Sequence, residues 1–195
     1  MEMNTTIRLA GISGSLRAAS LNSALLRAVP MFVPVEVSVE IVSIGDLPLF
    51  NADLTDGPAF EPVRRFRDAI AQADGLVIVS PEYNYSIPGV LKNALDWASR
   101  GGKDAPLQNK PTAIMGVSPG QFGTVRMQMH LRQMMVYNNM RPVNKPEVMI
   151  NNALSKFDAE GRLTDPATEN LIRQQLAELV RMIESERSLT AGTAL

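Results

Sequence analysis

Apolar residues in this chain fall into short runs separated by amphipathic stretches. Residues 6–12, Thr-Ile-Arg-Leu-Ala-Gly-Ile, read as a short strand. Residues 21–32 place Leu21, Leu25, Val29 and Phe32 on one helical face. Residues 35–43 alternate Val35, Val37, Val39 and Ile41 with Glu36, Ser38, Glu40 and Val42, which predicts a strand near a sheet edge. Residues 60–73, with Phe66, Ala69, Ile70 and Ala73, predict a helix. Residues 75–79, Gly-Leu-Val-Ile-Val, are apolar throughout and predict a strand buried on both faces. A helix over 88–98 follows, with Pro88 in its first turn, where a missing N–H costs little. A buried strand over 112–117, a Met-rich helix over 124–137, a last strand over 146–150 and an amphipathic helix over 165–184 complete the pattern.

Strand and helix thus alternate about five times, which predicts a doubly wound, five-stranded parallel sheet with helices on both faces. In such a sheet ligands bind beyond the carboxyl ends of the strands, where the strand order reverses. The loops after the first, third and fourth strands therefore carry the functional question.

Composition narrows the chemistry. The chain has 195 residues, which predicts one domain over 1–195, and no repeat or linker divides it. Hydrophobic residues make up 45%, ample for a core. Lys plus Arg total 19 against 20 Asp plus Glu, so no basic field points to nucleic acid. There is no cysteine and one histidine, which excludes thiol nucleophiles, thiolate metal centres and disulfide scaffolds. No apolar run reaches membrane-spanning length, and Met1 to Thr6 lacks the pattern of a secretory signal, so a cytoplasmic protein is expected. Any catalysis must use few titrating side chains or come from a cofactor.

The loop after the first strand runs from Gly11 to Ser23, with four serines, one arginine and one asparagine in thirteen residues. It leads into a helix, whose first N–H groups and positive dipole end suit an anion. The Gly-Lys-Ser/Thr ending of a triphosphate loop and the Gly-x-Gly-x-x-Gly dinucleotide fingerprint are both missing. The plainer reading is a strand–helix turn with Ser20 as N-cap. After the third strand comes Pro81-Glu82-Tyr83-Asn84-Tyr85-Ser86-Ile87-Pro88-Gly89, holding two of the three tyrosines. Aromatic faces and turn amides at a sheet rim suit a planar ring; the plainer reading is a turn covering a helix end. After the fourth strand, Gly116-Val117-Ser118-Pro119-Gly120 matches the Gly-x-Ser-x-Gly of serine hydrolases. Pro119 removes the N–H that an oxyanion hole needs after the serine. His130 follows Ser118 by twelve residues with no acid between them, so a serine esterase at Ser118 is a poor alternative.

Together the loops resemble the NADPH-dependent FMN reductases of flavodoxin-like fold, and within them the bacterial quinone and chromate reductase branch. Ser15-Leu16-Arg17 with Ser20 and Asn22, and the Pro81–Gly89 stretch, carry the resemblance. Lys92-Asn93, Asp96-Trp97 and Lys145-Pro146-Glu147 also fit, and the likeness spans residues 6–185. It implies that Ser15, Leu16, Arg17, Ala18, Ala19, Ser20, Leu21 and Asn22 hold an FMN phosphate. It implies that Pro81, Glu82, Tyr83, Asn84 and Tyr85 meet the isoalloxazine, mostly through main-chain groups, with Ser118 beside the ring edge. The implied activity passes hydride from NAD(P)H through bound FMN to small-molecule acceptors such as quinones, chromate, azo dyes or free flavin. No metal and no catalytic side chain is implied, because the flavin carries the chemistry. A flavin-holding electron carrier is the alternative, disfavoured because such carriers are strongly acidic and this chain has a net charge of −1.

The remaining residues have plainer expectations. His130 is expected at a surface or interface, and Trp97 in a structural role. Arg64, Arg65 and Arg67 are expected on a solvated helix face. Met127, Leu131, Met134 and Met135 form a stripe for core packing, or for a homodimer or homotetramer contact of the kind the resemblance implies. Ser188 to Leu195 are expected to be disordered.

Overall fold

The computed structural model describes residues 6–192. Its strands are β1 (Ile7–Ser13), β2 (Val37–Ile41), β3 (Gly75–Val79), β4 (Pro111–Val117), β5 (Arg141–Pro142) and β6 (Val148–Ile150). Its helices are α1 (Leu21–Ala28), α2 (Glu61–Gln72), α3 (Gly89–Ala98), α4 (Val125–Met135) and α5 (Pro166–Gly192). Pairing is parallel throughout, in the order β2-β1-β3-β4, followed by β5 and β6 along β4. That is the flavodoxin-like order.

The fifth position differs from the expected single strand. β5 pairs with Pro111 and Thr112 at the start of β4, and β6 pairs with Met115 to Val117 at its end. The chain leaves the sheet between them, so six strands fill five positions. α1 and α5 cover one face, where Leu25, Leu26, Ile172, Leu176 and Leu179 pack on Val77, Val79 and Met115. α2, α3 and α4 cover the other, where Phe66, Ile70, Leu91, Met127 and Leu131 pack on Ile12, Ile78 and Ile114. β3 and β4 are buried along their whole lengths, which explains their uninterrupted apolar runs. β2 lies at an edge, as its alternation predicts.

Some side chains meet their plainer expectations and others depart from them. Met127, Leu131 and Met135 point inward and are buried, so the apolar stripe of α4 is spent on its own sheet. Arg67 is not merely solvated: it donates to the carbonyls of Trp97 and Arg100 at the end of α3. Burial pushes its guanidinium below the usual arginine range, with Asp68 opposing. Pro88 is the N-cap of α3 rather than part of its first turn. The polar tail continues α5 as far as Gly192 instead of ending in disorder at Ser188, and residues 193–195 lie outside the described residues. Trp97 is structural: its Nε1 donates to the Pro48 carbonyl at 2.8 Å, and Phe50 and Phe60 meet its ring edgewise.

Two glycines bring the strand ends together. A Cβ on Gly14 would overlap the Ser80 side chain, and one on Gly116 would overlap Thr124 and lie 2.6 Å from the Ser80 carbonyl oxygen. The carboxyl ends of β1, β3 and β4 therefore meet with no room for side chains between them. Among the described residues, no helix is long and apolar enough to cross a membrane.

Candidate flavin site

The strand order reverses between β1 and β3, and the loops that leave their ends line one cavity. Its volume is about 260 Å³, and Ser15, Arg17, Ser20, Leu21, Asn22, Pro81, Glu82, Tyr83, Val117, Ser118 and Pro119 line it. Residues from all three loops singled out in the sequence thus share a single cleft.

On its first wall, Ser20 is the N-cap of α1, and its hydroxyl accepts from the Ser23 N–H at 3.3 Å. Ser13 and Ser23 share a hydroxyl hydrogen bond of 2.7 Å, and the Ser15 hydroxyl accepts from the Arg17 N–H at 3.3 Å. The Arg17 side chain is exposed, and among the described residues its guanidinium donates to the Ala19 carbonyl at 3.0 Å. Among those residues nothing accepts from the main-chain N–H groups of Leu16, Ala18, Ala19, Leu21 and Asn22. A cluster of unpartnered N–H groups at a helix start, with one exposed arginine head beside it, fits a phosphate dianion. Asn22 takes part differently from its implied role. Its buried amide donates to the Val117 carbonyl at 3.0 Å and accepts from the Val117 N–H at 2.8 Å. The side chain ties α1 to β4, leaving only its main-chain N–H for a ligand.

The second wall is a tight turn. Tyr83 and Ser86 exchange main-chain hydrogen bonds of 3.0 and 2.9 Å across Asn84 and Tyr85. Both central residues have positive φ, 49° and 66°, the pattern of a type I′ turn. A tyrosine there is strained, since its Cβ crowds the backbone in the left-handed region. Strain of this kind persists only where the surroundings over-determine it, and it gathers at functional sites. Tyr83 and Tyr85 stay largely exposed at the rim.

Glu82 does not face the cleft with a free carboxylate. Its oxygens accept from the N–H groups of Arg126 and Met127 at 3.0 and 3.1 Å and from the Arg126 guanidinium at 2.5 Å. Arg126 in turn lies 3.8 Å from the centre of the Tyr85 ring and 5.4 Å from that of Phe122. Arg126 and Phe122 are participants that the sequence reading missed. The only signal for them was position, a cation and an aromatic just after the fourth-strand loop.

The third loop holds no nucleophile elbow. Ser118 is not among the residues with positive φ, and its hydroxyl accepts from the Gly120 N–H at 3.1 Å. The His130 Nδ1 lies 3.0 Å from the Ser86 hydroxyl instead. Gly116 is a glycine because Thr124 and Ser80 leave no space for a side chain. Those contacts account for the Gly-x-Ser-x-Gly match without a hydrolase.

The model of the NADPH-dependent FMN reductases matches residues 7–155. The chain belongs to the NADPH-dependent FMN reductase family. An NAD(P)H-dependent FMN reductase of Pseudomonas aeruginosa is 51% identical over 178 residues, 91% of this chain and 95% of that protein. A 2-hydroxy-1,4-benzoquinone reductase of a Burkholderia species is 40% identical, across 93% of this chain and 98% of its own length. Among solved structures, the flavoenzyme NAD(P)H:(acceptor) oxidoreductase FerB from Paracoccus denitrificans superposes with a TM-score of 0.83 at 33% identity, covering 92% of this chain and 98% of FerB. As a member of this FMN reductase family, the chain is an oxidoreductase that uses NAD(P)H and FMN. The Ser15–Asn22 wall of the cleft is rich in donors, and the Pro81–Tyr85 wall presents a turn.

Proposed function

We propose that the cleft between the Ser15–Asn22 loop, the Pro81–Tyr85 turn and Ser118 holds FMN, and that the protein reduces quinones with electrons from NAD(P)H. The observation that carries this reading is one cavity lined both by the Ser15–Asn22 loop, whose Leu21 and Asn22 N–H groups have no acceptor among the described residues, and by Tyr83, where the strained turn begins. The N–H groups of Leu16, Ala18, Ala19, Leu21 and Asn22, with Arg17 and the Ser15 hydroxyl, hold the phosphate. The main chain of Pro81 to Tyr85 orients the ring, and Ser118 borders its edge. Bound FMN supplies hydride acceptance and donation, and the protein supplies orientation and electrostatics. A single domain over residues 1–195 leaves room for one flavin site and no separate dinucleotide domain, so NAD(P)H and the acceptor use the same face of the ring in turn. The relatives named for quinone reduction support quinones as acceptors, and chromate, azo dyes and free flavin are tested beside them. Double-reciprocal plots should give parallel lines. Titration calorimetry should give about one FMN per chain, and a chain that binds no FMN would refute the reading.

We propose also a homodimer or homotetramer, located in the cytoplasm where its nicotinamide donor is made. Val136 and Tyr137 support assembly, because they stand 78% and 73% exposed beside an apolar cleft of about 220 Å³ between α3 and α4. Leu131 is fully buried, so the exposed Tyr137 is the place to probe. Tyr137→Asp should lower the mass seen by light scattering, and a monomeric wild-type protein would end the idea. Cell fractionation tests the location.

A further inference from the structure

We infer that Glu82 is a positioning residue that sets the spacing of the two loops facing the flavin ring, acting through Arg126 and the start of α4. This inference rests on the reading of the cleft as the flavin site.

α4 starts without a cap of its own. Its N-cap residue, Thr124, makes no side-chain capping bond, and its hydroxyl accepts from Gln128 Nε2 at 3.2 Å instead. The second and third helical residues, Arg126 and Met127, would leave their N–H groups without an acceptor. Glu82, 44 residues earlier and directly after Pro81, fills that place. Its side chain is only 7% exposed, and each donor it meets belongs to the first turn of α4. A carboxylate at a helix N-terminus is well placed electrostatically, and the guanidinium contact adds a second charge-assisted tie.

The tie reaches the ring side through Arg126. Its guanidinium bonds Glu82 and lies against Tyr85, the strained residue of the turn, while Phe122 from the loop after β4 flanks it. One carboxylate therefore joins the end of β3, the left-handed turn and the loop before α4. If it were lost, the Arg126 and Met127 N–H groups of the first turn of α4 would have no acceptor, and the cation against the Tyr85 ring would lose its carboxylate partner. The gap between the two loops would no longer be set before the ligand arrives, and the ligand would have to order them.

The test uses holoenzyme, three variants of the tie and Arg17→Ala for contrast, with the affinities of FMN and riboflavin and the visible circular dichroism of the bound flavin as readouts. Glu82→Gln should weaken FMN and riboflavin by the same factor, roughly tenfold, and change the flavin dichroism. A ring-side defect treats the two ligands alike, whereas Arg17→Ala should affect FMN alone. Arg126→Met breaks the tie from the other end and carries the test if Glu82→Gln does not fold. The Glu82→Gln/Arg126→Met double variant should bind no more weakly than the worse single one, because both break one unit. Lowered thermal stability with unchanged affinities and dichroism would show a helix cap and nothing more, overturning the inference. Wild-type protein that bound neither flavin would overturn the site reading and this inference together. Normal flavin binding by the wild type and by both single variants would overturn this inference alone.

Discussion

The two walls of the cleft, the one proposed for the phosphate and the one proposed for the ring, are built by opposite means. From Ser13 to Ser23 the hydrogen bonds are mostly local: Ser13 to Ser23, Arg17 to Ser15, Arg17 to Ala19 and Ser23 to Ser20. The loop is a strand end feeding a helix start, and most of its donors are main-chain groups that no single side-chain truncation removes. The ring side is held from a distance. Glu82 and Arg126 stand 44 residues apart, and the turn between Tyr83 and Ser86 would be strained on its own. A locally built wall should lose function in small, separable steps. A wall held by one distant contact should fail as a unit.

Asn22 offers the strongest test, because its side chain is a long-range tie on the local side. Asn22→Ala leaves the buried N–H and carbonyl of Val117 without partners, at roughly 1–3 kcal/mol each. Chemical denaturation should show a loss of about 2–4 kcal/mol, the largest for any single change in the loop. A loss below about 0.5 kcal/mol would mean that local bonds alone hold α1 in place. Next comes Arg17→Ala, which should weaken FMN by about 1.5–3 kcal/mol while leaving riboflavin nearly unchanged in calorimetry. Equal losses for both ligands would take Arg17 away from the phosphate. On the ring side, Asn84→Ala puts an ordinary side chain where φ is 49°. Thermal denaturation should report a loss of about 1–2 kcal/mol, and an unchanged midpoint would show that the turn relaxes freely. The smallest effect belongs to Ser20→Ala, a lost N-cap worth about 1 kcal/mol in the same measurement. If it exceeded the Asn22 change, the contrast between local and distant construction would be reversed.

The same contrast explains what could be read in advance. The sheet was legible because burial on both faces leaves long apolar runs such as Gly75–Val79 and Thr112–Val117, and helix periodicity marked their covers. The loop after β1 was legible as a donor-rich strand–helix turn because a local structure leaves a local pattern of serine, glycine and arginine. The clamp was not, since nothing near Glu82 in sequence announces a partner 44 residues later. Asn22 was misjudged for the same reason: its amide suited an anion equally well until β4 was seen beside it. Met127, Leu131 and Met135 left two readings open because periodicity identifies an apolar face but not what covers it. The fifth strand was read as one because its halves, Arg141–Pro142 and Val148–Ile150, share a single position beside β4.

That divided position also governs how molecules of this protein meet one another. A parallel sheet has two open edges, each a template on which a foreign strand can grow. Here one edge is β2, five residues long with Glu40 exposed on it. The other is broken into pieces of two and three residues, and the first contains Pro142, which has no N–H to give. Neither edge offers an unbroken row of donors and acceptors long enough to seed cross-strand growth. Concentrated solutions should therefore associate through side chains on the helices, reversibly, and amyloid-type dye binding should stay at background.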